Sequence, residues 1–234
     1  MPTGLTNTTT HPSSGTTQLT FDAIDAATTH STQDVQLIYP SASKNYKITT
    51  AVIPPGSKFH PGAHWHEDYD EIMRVVKGRA RIRLGKEWRV YGPEDGEVLI
   101  RRGVVHDFMR ADASGSVKGE DGVEGDLVIE EWSEPVDGSK ELFFRHAFSI
   151  QADSALFGWK IPLQMLLLLM YTDTFLELVP GPVGWYVTHG LYAGVVAPLA
   201  WVVGVRPFYD EYTPERLAGV RGELEGRMGK GKKD

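Results

Sequence analysis

His64 and His66 stand on either side of Trp65 in the run HPGAHWHEDYDE, and Glu71 follows after four intervening residues. Side chains alternate along an extended segment, so histidines at i and i+2 project from one face and can meet one ion. A short acidic turn lets the chain return with the Glu71 carboxylate on that ion, and Gly78 permits the tight turn into the next strand. A fourth ligand has to come from elsewhere. His106, in GEVLIRRGVVHDF, opens a strand after a turn at Gly103 and supplies it. Three imidazoles and one carboxylate suit a single divalent metal ion, Fe(II) foremost and Mn, Zn, Ni, Co or Cu as further candidates, with positions left open for water or substrate. His60, just upstream, is a candidate catalytic acid or base at the pocket edge, an added ligand, or a surface residue. Glu67, Asp68 and Asp70 read as solvated turn residues around the ligands.

These residues need strands to hold them. From Val35 onward, short β-type runs are separated by Gly, Pro and Asp, the pattern of a sandwich or barrel. The runs are 35–39, 46–53, 70–77, 79–84, 87–91, 97–100, 105–111, 127–132 and 143–148. In Arg79 to Leu84 the alternation is strict, with three arginines on one face, read as a wet face, and three apolar side chains on the other. The last run places His146 on one face with Phe144 and Phe148, as a satisfied structural histidine ahead of a pocket base. His11 and His30 read as surface residues. Residues 1–34 form a Ser/Thr-rich disordered tail and lead-in, 35–150 a barrel, 151–208 an apolar helical hairpin, and 209–234 a polar helix with a basic tail.

The 234-residue chain carries a net charge of -7, 41% hydrophobic and 24% charged residues, and no cysteine. The charge offers no basic surface to a nucleic acid, and the missing cysteines exclude disulfides, thiolate metal sites and cysteine nucleophiles. No lysine or arginine precedes Lys44, which argues against a secretory signal or an arginine-rich presequence. The expected location is intracellular, cytoplasmic or on an intracellular membrane. No nucleotide-binding glycine loop, serine nucleophile elbow or HExxH helix competes with the metal site.

The chain resembles the cupins, whose first motif runs HxH, three or four residues, Glu, six residues, Gly. His64, His66, Glu71 and Gly78 match it without a gap. In the second motif Gly103 and His106 match, Arg101 stands where proline is usual, and Asp95 falls where a glycine is expected, with Gly96 beside it. The resemblance implies a mainly β fold, a single jelly-roll barrel, with the apolar, helical C-terminal extension added to it.

The extension is the unusual part. Val183 to Val205 is almost free of charge and long enough to span a hydrocarbon core. Ile161 to Val179 is apolar too, but contains Asp173 and Glu177, which are costly in lipid. Pro180, Gly181 and Pro182 turn the chain between them. Membrane association through 161–205 is one expectation, and packing on the barrel or in a homodimer is the other. His189 in this stretch is expected to be buried and hydrogen-bonded. A small HWHEDYDE cupin with such an extension is also similar to the cupin proteins of fungal polyketide clusters of the salicylaldehyde type. That resemblance implies a metal-dependent oxidoreductase or oxygenase tailoring a small apolar polyketide-like intermediate in secondary metabolism. Two alternatives stay open: an isomerase or cyclase using the metal as a Lewis acid, and a non-catalytic membrane-linked binding or assembly protein.

Overall fold

A computed structural model of the chain describes residues 29–32, 34–114 and 125–229. Among these residues eleven strands appear: β1 (Thr29–Ser31), β2 (Gln36–Ile38), β3 (Thr49–Ile53), β4 (His64–Trp65), β5 (Asp70–Lys77), β6 (Ala80–Leu84), β7 (Glu87–Tyr91), β8 (Glu97–Ile100), β9 (His106–Arg110), β10 (Leu127–Glu134) and β11 (Phe175–Leu176). They build two antiparallel sheets, ordered β1-β2-β3-β10-β5-β8 and β11-β4-β9-β6-β7, which make a jelly roll. Alternation drives the packing. In β3, Thr49, Ala51 and Ile53 are buried while Thr50 and Val52 are half-buried, and Ala80 and Ile82 of β6 are buried in the same way. Met73, Ile100, Leu127 and Ile129 join them in a continuous apolar interior.

Among the described residues six helices follow or cover the barrel: α1 (Ser139–Ala152), α2 (Ser154–Phe157), α3 (Ile161–Tyr171), α4 (Pro182–Leu191), α5 (Ala197–Val203) and α6 (Ala218–Gly229). A π-helical segment, Tyr192–Val196, joins α4 to α5. Leu142 and Ile150 of α1 and Leu168 of α3 are fully buried and belong to the barrel's own apolar cluster.

The run 143–148 is therefore helix, not strand. Its period-2 reading of Phe144, His146 and Phe148 loses to a helical one, in which Leu142, Arg145, His146, Ser149 and Ile150 share the buried side. Asp137 accepts the Ser139 N–H at the start (2.9 Å), and Glu141 pairs with Arg145 one turn on (2.7 Å). The first half of the apolar extension is also only partly helical. α3 stops at Tyr171, where Thr172 bonds back to the Leu168 carbonyl (2.8 Å), and the chain then lays β11 against β4. Tyr46 lies outside β3, since its φ of 51° is incompatible with a strand. The arginines divide: Arg81 stacks on Trp88 at 5.0 Å, whereas Arg83 is largely buried in an ion pair with Glu177 of the extension at 2.7 Å.

Candidate metal centre

Register places the ligands. β4 pairs with β9 so that His64 lies directly opposite His106, and their rings sit 4.2 Å apart between centroids. β5 brings Glu71 up beside them, between Ile100 of β8 and Ser133 of β10. His66 follows β4, with its ring 5.1 Å from that of His64 and 5.3 Å from that of His106. One donor atom from each of His64, His66, Glu71 and His106 falls within 4.8 Å of all the others. The turn before His106 depends on Gly103, at φ 78°, whose N–H donates to the His66 carbonyl (2.6 Å). Arg101, at the usual proline position, instead pairs with Asp70 (3.0 Å), which also accepts the Arg102 N–H (2.8 Å).

The protonation pattern fits a metal ion. Each histidine has its Nδ1 against a backbone carbonyl: His64 to Gly62 (2.7 Å), His66 to Asp173 (2.7 Å) and His106 to Val104 (3.0 Å). An Nδ1–H donor leaves a lone pair on Nε2 in a neutral ring, so all three rings turn an acceptor nitrogen inward. The Nε2 of His106 is buried with no hydrogen-bond partner. The Nε2 of His66 lies 3.1 Å from a Glu71 oxygen, two acceptors that oppose each other unless a cation or proton stands between them. Burial, reinforced by His106 and His66, holds the His64 pKa well below the usual value and keeps it neutral. Glu71 stays ionised: burial opposes its charge, but the Lys140 ammonium beside it leads the groups that outweigh that and hold its carboxyl well below the usual range.

Lys140 was not foreseen from the sequence. It comes from α1 and places Nζ 2.7 Å from Glu71 and 3.3 Å from Glu131. Glu131 lies two residues from Ser133, the strand partner of Glu71, and so projects from the same face of the sheet. Burial pushes the Glu131 carboxyl up, partly offset by Lys140. Burial works against the Lys140 charge, but Glu131 and Glu71 outweigh it and raise its pKa. Asp173 is the second residue that spacing missed. Its carbonyl orients His66, and its carboxylate accepts the N–H groups of Glu67 (3.0 Å) and Asp68 (2.8 Å). Burial pushes Asp173 up to about 6, against those amide bonds. An acid in an otherwise apolar run, shared with Glu177, was the available signal for it.

The ligands open into a cavity of about 360 Å³ with a largely apolar wall that includes Phe59, Met73, Phe108, Phe144, Phe148 and Met165. His60 lies at its rim, half exposed, with Nδ1 3.4 Å from Asp107, and apart from the four-ligand cluster. His146 is a satisfied structural histidine in a helix: Nδ1 donates to the Leu142 carbonyl (2.9 Å) and Nε2 accepts the Tyr209 N–H (3.0 Å). His189 is half-buried, stacked on Trp185 and 3.3 Å from Glu67. Glu67 is no solvated turn residue, since it also accepts the indole N–H groups of Trp65 (3.2 Å) and Trp185 (2.7 Å). His11 and the side chain of His30 lie outside the described residues.

An HxH pair at β4, a glutamate on β5 of the other sheet and a histidine on β9, the neighbour of β4, meet inside a two-sheet jelly roll, and that decides the architecture. The fold is that of a cupin. No family model matches the chain. The chain is 26% identical over 209 residues to "Oxidoreductase OpS7" of the fungus Beauveria bassiana, a match covering 78% of this chain and 68% of that one. Among solved structures it is similar to the capsular polysaccharide assembling protein CapF of Staphylococcus aureus, at 19% identity and a TM-score of 0.32 over 45% of this chain. The chain spans only 27% of CapF. KdgF from a Halomonas species is similar at 17% identity and a TM-score of 0.31, over 48% of this chain and 90% of that one.

Proposed function

We propose that this cupin is a metal-dependent oxidoreductase acting on a small apolar organic molecule, in the manner of an oxygenase that tailors a polyketide-like intermediate. The observation that carries this reading is the cluster of three inward-facing imidazole nitrogens and Glu71 beside a cavity walled by aromatic and methionine side chains. Similarity to a fungal oxidoreductase supports an enzyme of redox type. A bound Fe(II) would supply dioxygen activation at the open coordination positions. The chain's own residues supply the rest. Gly62, Asp173 and Val104 carbonyls fix the ligand rings, the aromatic wall holds an apolar substrate and excludes water, and Lys140 keeps Glu71 charged.

A second reading, a cupin isomerase or cyclase, has its own support in the Lys140–Glu131 pair, a buried ammonium and carboxyl lining the same cavity. Such a pair can move a proton on a substrate polarised by a Lewis acid. Oxygen uptake separates the two. The oxidoreductase reading expects substrate-dependent oxygen consumption by Fe(II)-loaded protein, abolished in His64→Ala. Turnover that proceeds without oxygen and equally well with Zn would transfer the assignment to the second reading. Wild-type output from the His64→Ala, His66→Ala double variant would remove both and leave a binding or assembly role.

A further inference from the structure

From Pro182 to Val203, α4, the π segment and α5 run as one 22-residue helix. Its buried positions are Gly184, Thr188, Tyr192, Val196 and Ala200. A stripe at a spacing of four drifts around an α-helix of 3.6 residues per turn, and the wider turn of the π segment takes up that drift. Tyr192, Val196 and Ala200 meet Leu163, Leu167 and Met170 of α3, and Thr188 bonds to the Leu176 carbonyl (2.6 Å). Leu191, Ala197 and Val203 flank this stripe and pack against the same cluster, whereas Val183, Trp185, Tyr186, Val187, Val195, Leu199, Trp201 and Val202 are exposed, and none of these is charged. Val183 is 61% exposed, Tyr186 72%, Trp201 84% and Val202 71%. The outward side of a helix on a water-soluble domain is ordinarily polar.

We propose that this outer face seats in the plane of a lipid bilayer's interface, as a peripheral anchor that does not cross the membrane. Two observations favour lipid over a second copy of the chain. Amphipathic aromatic residues mark both ends of the helix, Trp185 and Tyr186 at one and Trp201 at the other. The second end also carries Trp159 (74% exposed), Lys160 and Arg206, because Gln164 of α3 donates to the Arg206 carbonyl (2.6 Å) and draws these segments together. Indole rings beside cations suit the headgroup layer of an anionic membrane.

Attachment to the barrel argues against crossing. Trp185 and His189 bond to Glu67 in the ligand loop, Thr188 holds β11, and the Arg83–Glu177 ion pair shares a surface hollow with Trp185. A spanning helix would draw these charges and the sheet edge at β11 into hydrocarbon. α3, which backs the anchor helix, also lines the site cavity through Met165 and Leu169, so anchor and cavity share one element.

The test is flotation of the full chain with phosphatidylcholine vesicles, with and without phosphatidylserine, followed by an alkaline carbonate wash. The anchor predicts co-flotation, strengthened by phosphatidylserine and released by carbonate. The variants Trp201→Glu with Val202→Glu, and separately Trp159→Glu, lower the partition coefficient about tenfold or more with unchanged circular dichroism. Lys160→Gln lowers only the anionic-lipid enhancement, by about fivefold, and leaves the part that Arg206 supplies. Retention after carbonate would overturn the proposal in favour of a spanning helix. A folded chain that stays in the aqueous fraction would also overturn it, and a dimer there, made monomeric by Trp201→Glu, would identify the face as a self-interface.

Discussion

Replacing Lys140 with Met removes the ammonium that bridges Glu71 and Glu131 and keeps most of the side-chain volume. Both carboxylates are buried, and Nζ lies 2.7 and 3.3 Å from them. Without that charge the least costly response of the pair is to take up one proton. For a carboxyl of ordinary pKa 4.5, holding a proton at pH 7 costs about 2.5 pH units at about 1.4 kcal/mol each, or about 3.5 kcal/mol. That agrees with the roughly 3–5 kcal/mol lost when one partner of a buried ion pair is removed. The metal-free variant should therefore unfold with about 3.5 kcal/mol less stability at pH 7 than the parent. The sign with pH follows from proton counting. The folded variant binds a proton that its unfolded chain releases above pH 4.5, so the deficit grows as pH rises by about 1.4 kcal/mol per unit and vanishes near pH 4.5. A divalent ion on the four ligands replaces the lost positive charge beside Glu71, so saturating metal recovers a large part of the deficit. Urea unfolding of both proteins at pH 5, 6 and 7, with and without Zn, reads all three effects. A deficit of equal size at pH 5 and pH 7, or unchanged by metal, would refute the reasoning.

Burial pushes His146 down to about 4 from 6.5, so the unfolded chain protonates first on acidification and this residue withdraws about 3 kcal/mol of stability between pH 6.5 and 4. A His146→Gln variant should show a correspondingly shallower acid dependence in urea midpoints, and parallel curves would discount the residue. Leu168→Ala empties a fully buried position where α3 meets the barrel and should cost about 3 kcal/mol, measured by equilibrium unfolding; a cost under about 1 kcal/mol would mean that α3 does not pack there. Gly78→Ala puts a Cβ 3.1 Å from the Asp126 carbonyl oxygen at φ 81° and should destabilise by more than about 1 kcal/mol, with no loss expected if the turn is relaxed.

Three of the four clustered residues, His64, His66 and Glu71, were legible because their signal is local, and His106 only through the turn at Gly103 before it. An i, i+2 histidine pair and a glutamate across one turn belong together in any strand register, and the extended runs that hold them alternate cleanly. Lys140, Glu131 and Asp173 were not legible. Each reaches the site through a tertiary contact, from a helix, from a neighbouring strand and from the extension, and spacing carries no information on such approaches. The helix at 139–152 was misread because Phe144, His146 and Phe148 happen to alternate, while the residues that decide its phase, Leu142, Arg145 and Ile150, include a buried arginine that pattern reading counts as polar. The β4–β11 pairing escaped because two-residue strands carry no period at all. It is the element that brings the Asp173 carbonyl against His66 and so makes the extension part of the site.

The central claim is that His64, His66, Glu71 and His106 hold one divalent metal ion. Elemental analysis of the full chain, as purified and after anaerobic loading with Fe(II), alongside a folded His66→Ala, His106→Ala variant, tests it most directly. The account predicts stoichiometric metal in the parent and loss of it in the variant. A folded parent that binds no metal after loading with Fe(II), Mn or Zn, or a variant that keeps the full complement, would contradict it.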